Sequence, residues 1–247
     1  QAVMLDTRAS HFYQGWPMEG ESQGGHVAGA ESLSADWKYS NDEWPKALES
    51  KGLTADRPVA LYGAPREVAE VARLLRKQGI KQLFELQGWQ AAPREHLVRW
   101  QQLVYPGWLA DLQEGKPVAA APKGDWKLFE VDWGSPKAYL LSHIPGAGYI
   151  DTNRLEEEPL WNKVSDEALK TLLLENGIRH DTTVILYGRN TMAAARAAHL
   201  MMYAGVQDVR LLDGGLDAWF VQHLRTETGL ANKFTPAKEF GVAIPAH

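Results

Sequence analysis

Apolar positions along the chain follow two rhythms. Short runs rich in β-branched and aromatic residues, such as "PVALYG" (58–63) and "TVILYG" (183–188), have the length and composition of buried strands. Elsewhere apolar residues return every three or four positions, as Leu169, Leu172 and Leu173 do, which predicts an amphipathic helix over 165–176. Ser165 stands where an N-cap belongs, Asp166 and Glu167 suit the positive end, and Gly177 suits the left-handed position past the last turn. Strand runs alternating with helical stretches predict an α/β fold with a mainly parallel sheet.

The pattern occurs twice. "VMLDTR" (3–8) corresponds to "LFEVDW" (128–133), "GHVAGAESL" (25–33) to "SHIPGAGYI" (142–150), and "PVALYG" to "TVILYG". A helix follows each of the last pair and ends at Gly79 or Gly205, and each is preceded by a helix, a glycine and a polar turn. An insertion around "NRLEEEPLWNKV" (153–164) accounts for the drift in spacing. Two tandem domains are expected, over 1–93 and 127–229. The Pro-, Gly- and Ala-rich stretch within 94–126 reads as a linker with short helices, and 230–247 as a linker-like tail.

Composition narrows the chemistry. The 247 residues contain no cysteine, which removes disulfides, Cys-ligated zinc and thiolate mechanisms from this stretch. Net charge is −5 with the signs interspersed, and no basic stripe points to nucleic acid. The one acidic run, Glu156-Glu157-Glu158, reads as a solvated turn. No apolar run approaches the ~18–20 residues of a membrane helix. No metal-ligand spacing, nucleophile elbow or P-loop is present, and no cofactor is expected.

An early strand ending in Asp, then "SHIPGA", a strand–loop–helix and "LLDGGLDAW", in this order, resemble the rhodanese family of sulfurtransferases. The resemblance runs through nearly the whole chain, twice, and is nearest to the three-domain, YnjE-type thiosulfate sulfurtransferases. It implies two rhodanese-like α/β domains, the first two of a longer protein, with the nucleophilic cysteine in a third. The family cysteine falls on Gly63 and Gly188, and a family arginine five residues on falls on Val68 and Ala193. Both copies are therefore expected to be non-catalytic. The implied partners are a further rhodanese-like domain of the same protein and a small sulfur-containing anion, and the implied compartment is the periplasm. The competing reading is a scaffold without chemistry that holds a protein partner or small anion.

Gly63 and Gly188 read first as residues that let the loop turn, and second as the floor of a ligand pocket. The loops are not alike. In "GAPRE" Pro65 removes an amide donor and Glu67 places a negative charge at the helix start, with Arg66 as a partial offset. "GRNTM" keeps its amides and adds Arg189, Asn190 and the Thr191 hydroxyl, so 188–193 is expected to keep weak affinity for sulfate or thiosulfate. Arg196 has two readings, an anion or domain contact and an ion pair with Asp132 or Asp213, and pairing is the commoner reason for an arginine in an apolar helix. His26 and His143 are read as fixing the "HxxGA" turns in preference to acting as general bases. Trp44, Trp89, Trp161 and Trp219 read as packing residues.

Overall fold

The computed structural model describes residues 2–230 and 232–246. The chain divides into two compact units, Gln1–Trp100 and Gln101–His247.

In the first unit the elements run β1 (Val3–Asp6), α1 (Ser10–Gln14), β2 (His26–Val27), β3 (Glu31–Ser32), α2 (Trp44–Ser50), β4 (Val59–Tyr62), α3 (Pro65–Lys77), β5 (Leu83–Glu85) and β6 (Arg94–Glu95). The sheet has the order β3-β1-β4-β5, all parallel. Val3, Leu5, Val59 and Leu61 pack against Val68, Val71 and Leu75 of α3. Pro65 sits in the first turn of α3, where a missing amide costs nothing, and Arg76 and Lys77 face the negative end.

The second unit contains β7 (Leu103–Val104), α4 (Pro106–Gln113), β8 (Trp126–Asp132), α5 (Lys137–Leu141), β9 (Gly148–Asp151), β10 (Glu156–Glu157), β11 (Asn162–Lys163), α6 (Asp166–Glu175), β12 (Thr183–Tyr187), α7 (Thr191–Ala204), β13 (Asp208–Leu212) and α8 (Gly215–Val221). Its sheet has the order β9-β8-β12-β13-β7, again all parallel. Thus β4 and β12 hold the same place, β4 between β1 and β5 and β12 between β8 and β13. The helix expected at 165–176 is α6. The Ser165 hydroxyl accepts from Ala168 N–H at 3.2 Å, and Gly177 (φ +68°) takes the left-handed position past Asn176. Such a cap contributes about 1 kcal/mol.

The linker readings are corrected. Arg94–Glu95 pairs antiparallel with His26–Val27, which extends the first unit past residue 93. Leu103–Val104 is an edge strand on β13, and α4 buries Pro106, Trp108 and Leu109. The tail 232–246 packs on the second unit through buried Phe240, whose carbonyl accepts from His180 N–H at 3.0 Å. Proline- and glycine-rich composition reports turns, and it does not exclude apolar anchors between them. The run 156–158 is a solvated turn only at Glu158: Glu156 and Glu157 pair with β11, and Glu156 is half-buried.

Candidate functional site

The loop after β12 lies at the carboxyl end of a parallel sheet, where α/β folds commonly place their chemistry. Gly188 is buried and its backbone is not left-handed; its constraint is space. A Cβ here would lie 2.5 Å from Asn190 O and 2.9 Å from Val131 O. Any side chain, a cysteine included, requires the backbone to move. The Gly188 carbonyl accepts from Leu216 N–H at 3.2 Å, which seats the start of α8 on the loop.

Arg189 turns inward. Its Nε donates to Glu130 Oε1 at 2.9 Å, and Nη2 donates to the carbonyls of Ser142 and Ala138. Glu130, toward the end of β8, is fully buried opposite Tyr187, and among the described residues no hydrogen-bond partner meets its Oε2 within bonding geometry. Burial pushes this carboxyl above the ordinary range, against the pull of Arg189. Asn190 is the N-cap of α7, its Oδ1 accepting from Met192 N–H at 2.9 Å. Thr191 is exposed in the first turn. Arg196 is ion-paired through Nε with Glu156, and not with Asp132 or Asp213. Of the four residues singled out for anion contact, two therefore spend their charge on carboxylates of the chain, one caps the helix, and Thr191 alone faces solvent with its hydroxyl.

The loop after β4 is closed differently. Gly63 has φ +149°, a conformation that favours glycine, and a Cβ there would meet Thr7 Oγ1 at 2.3 Å and Glu67 Oε2 at 2.9 Å. The Glu67 carboxylate folds back to accept from Ala64 N–H at 2.9 Å, and burial raises its pKa despite that bond. An anion approaching α3 meets a carboxylate already in place.

Around the loops the two units share a set of contacts. His26 stacks on Tyr13 and His143 on Tyr139, at 3.8 and 3.7 Å between ring centroids. His26 Nδ1 lies 2.7 Å from Tyr13 O, and His143 Nδ1 lies 2.8 Å from Tyr139 O. Tyr13 and Tyr139 donate to the carbonyls of Ala30 and Ala147, while Glu95 and Glu227 accept from Gly29 N–H and Gly146 N–H. Both histidines thus brace the "HxxGA" turn. Burial would raise the Glu227 pKa, but the bonds from Gly146 and Asn232 and the His143 contact outweigh it and hold this carboxyl low.

The sheet registers correct one sequence correspondence. Asp6 lies opposite Tyr62 and Glu130 opposite Tyr187, so the counterpart of Asp6 is Glu130, not the strand-ending Asp132. Sequence reading passed over Arg8, Glu130 and Glu227. An acid inside the apolar run "LFEV" was the available signal for Glu130. Among the tryptophans, Trp44, Trp89 and Trp219 are buried within their units, whereas Trp161 is exposed. Among the described residues no group of three or more His, Cys, Asp or Glu could hold a metal ion, and no helix is long and apolar enough to cross a membrane.

Residues 106–222 match the model of the rhodanese-like domain. The chain is 52% identical over 246 residues to thiosulfate sulfurtransferase YnjE of Escherichia coli K12, a match covering 98% of this chain and 57% of that protein. Superposed on the crystal structure of YnjE it gives a TM-score of 0.95 at 51% identity, covering 99% of this chain and 60% of that one. The anaerobic ergothioneine biosynthesis enzyme from Chlorobium limicola, solved with its natural substrate trimethyl histidine, gives 0.88 at 32% identity, covering 99% and 63%. The chain thus spans somewhat over half the length of the proteins it matches along nearly its whole extent. On these matches and this sheet order, the chain belongs to the rhodanese-like family.

Proposed function

We propose that this chain serves a thiosulfate sulfurtransferase as two copies of a rhodanese-like unit that no longer carry sulfur, and that the cysteine doing so lies outside these 247 residues. The observation that carries the reading is Gly188: the loop keeps the family's position at the end of β12, but has neither a thiol nor room for one. Persulfide chemistry needs a thiolate to attack the donor sulfur, and the sequence offers none. The contact set shared by the His26 and His143 turns supports the two units being copies of one ancestor. The partner this reading names is a further rhodanese-like domain of the same protein, and the substrate class is a small sulfur-containing anion.

Thiosulfate:cyanide sulfurtransferase assays test it. The 247-residue chain should form no thiocyanate above a buffer blank, while the product of the complete reading frame should form it through a cysteine beyond this chain. A complete product without such a cysteine and without activity would leave the scaffold reading, which the two closed loops also support.

A further inference from the structure

Five large apolar side chains stand in solvent around the closed loop of the second unit. Trp133 (68% exposed) follows β8, Leu160 (76%) and Trp161 (41%) form the tip between β10 and β11, and Met192 (74%) opens α7. Leu141 (76%) ends α5, whose neighbouring carbonyls hold Arg189. All five stand on elements that flank this loop. Trp133 and Trp161 meet edge to face at 5.7 Å. The Glu156–Arg196 ion pair ties the hairpin to α7, and Met192 lies one turn before Arg196 on the same helical face. Large apolar side chains left in water on neighbouring elements are unfavourable, and exposed apolar surface of this size marks an interaction site.

We infer that this ledge is the docking surface for the cysteine-bearing domain of the same protein, an inference that rests on the function proposed above. Two observations choose this occupant. The ledge is built on the elements that flank the loop at the carboxyl end of the sheet, where α/β folds commonly place their chemistry. The relative matched along 98% of this chain has more than two-fifths of its length outside the match. Glu157 and Glu158 are exposed on the hairpin, so the partner face should be apolar at its centre and basic where it meets them.

Hydroxyl-radical footprinting of the complete protein tests the assignment, with Met202 (41% exposed) as internal reference. The structure makes Met192 the more exposed of the two. Docking reverses the order, with Met192 oxidised at least about five-fold more slowly than Met202 because the interface excludes water. Trp161→Glu in the complete protein should restore Met192 oxidation and lower thiocyanate formation. A complete protein that transfers sulfur while Met192 is oxidised faster than Met202 overturns the docking surface and leaves the proposed function standing. A complete protein with no cysteine and no activity overturns both. Protection that disappears on dilution assigns the ledge to a second copy and overturns the inference.

Discussion

Asp6 and Glu130 hold the same position in the two sheets, each a buried carboxylate opposite a buried tyrosine, yet each is neutralised from a different direction. In the first unit Arg8, two residues along the same strand end, forks onto Asp6 with Nε–Oδ1 at 2.9 Å and Nη2–Oδ2 at 2.6 Å, and its guanidinium lies over Trp89. In the second unit the position corresponding to Arg8 is Asp132, and the cation comes from the loop as Arg189. The difference teaches how the loop at the end of a parallel strand can be closed in two ways. The first unit neutralises its acid within the sheet edge and fills the loop with Glu67. The second uses the loop itself as counter-ion, which ties the loop down and removes its charge from any ligand.

The largest test of this contrast is removal of each arginine. Both side chains of the Arg8–Asp6 pair are at most 2% exposed, so Arg8→Ala strands a buried carboxylate and should cost about 3–5 kcal/mol. Arg189 is 28% exposed, which lets water reach part of the gap, so Arg189→Ala should cost less, about 1–3 kcal/mol. Urea unfolding of each variant gives the ranking. Equal losses would show that the source of the cation is immaterial. The double variant Arg189→Ala, Glu130→Gln should regain part of the loss.

The glycines come next. Gly188→Cys presses Cβ on two carbonyl oxygens of the backbone and should cost about 1–3 kcal/mol, with no thiocyanate formed. Gly63→Ala meets side-chain oxygens of Thr7 and Glu67, which can rotate away, so its cost is chiefly its φ of +149°, about 1–2 kcal/mol. Adding Thr7→Ala should recover little at Gly63. No side-chain deletion should help at Gly188, and thermal unfolding of the paired variants measures both.

Much of the fold was legible in the sequence because its signals are local. The β-branched runs gave β4 and β12, the apolar spacing and Ser165 gave α6, and the repeated "HxxGA" gave the braced turns. The site was less legible because its decisive contacts are long-range. Nothing near Arg189 names Glu130, 59 residues away, as its partner, and an arginine in an anion-binding type of loop reads as a ligand contact until the buried acid is located. The slip from Glu130 to Asp132 has the same origin, since sheet register is set by packing against Tyr187 and not by the letters of the strand. The linker reading failed at Val104 and Phe240, single apolar anchors in turn-rich stretches.

The paired carboxylates of the two turns give a smaller and pH-dependent contrast. Glu227 Oε1 accepts from Gly146 N–H at 2.8 Å and Asn232 Nδ2 at 3.1 Å and lies 3.2 Å from His143 Nε2. Glu95 Oε2 accepts from Gly29 N–H at 3.2 Å and lies 3.9 Å from His26. Glu227→Gln should therefore cost about 1 kcal/mol at neutral pH and Glu95→Gln under about 0.5 kcal/mol. The Glu227 carboxyl is held low in the folded protein, so its contribution is present above the unfolded carboxyl pKa of about 4.3 and fades as pH falls through the folded value. Wild-type and Glu227→Gln stabilities should converge in acid. A gap that widens below pH 4 would reverse the sign and refute the assignment.

The weakest contrast is the one the loops would show toward an anion. At α3 the Glu67 carboxylate already holds Ala64 N–H, and Pro65 offers none. At α7 the Asn190 carboxamide holds Met192 N–H, Ala193 N–H is bonded to Asn190 O, and Arg189 faces inward. What remains at 188–193 is the helix dipole and the Thr191 hydroxyl, worth about 0.3–1 kcal/mol to a bound anion. Sulfate titration followed by amide NMR should move the 188–193 resonances slightly and those of 63–68 not at all. Asn190→Ala frees the Met192 amide, and its shifts at 191–193 should exceed those of the parent. Shifts at 63–68 as large as at 188–193 would mean that Glu67 does not close the first loop, and the contrast between the two units would fail at the position where it was drawn.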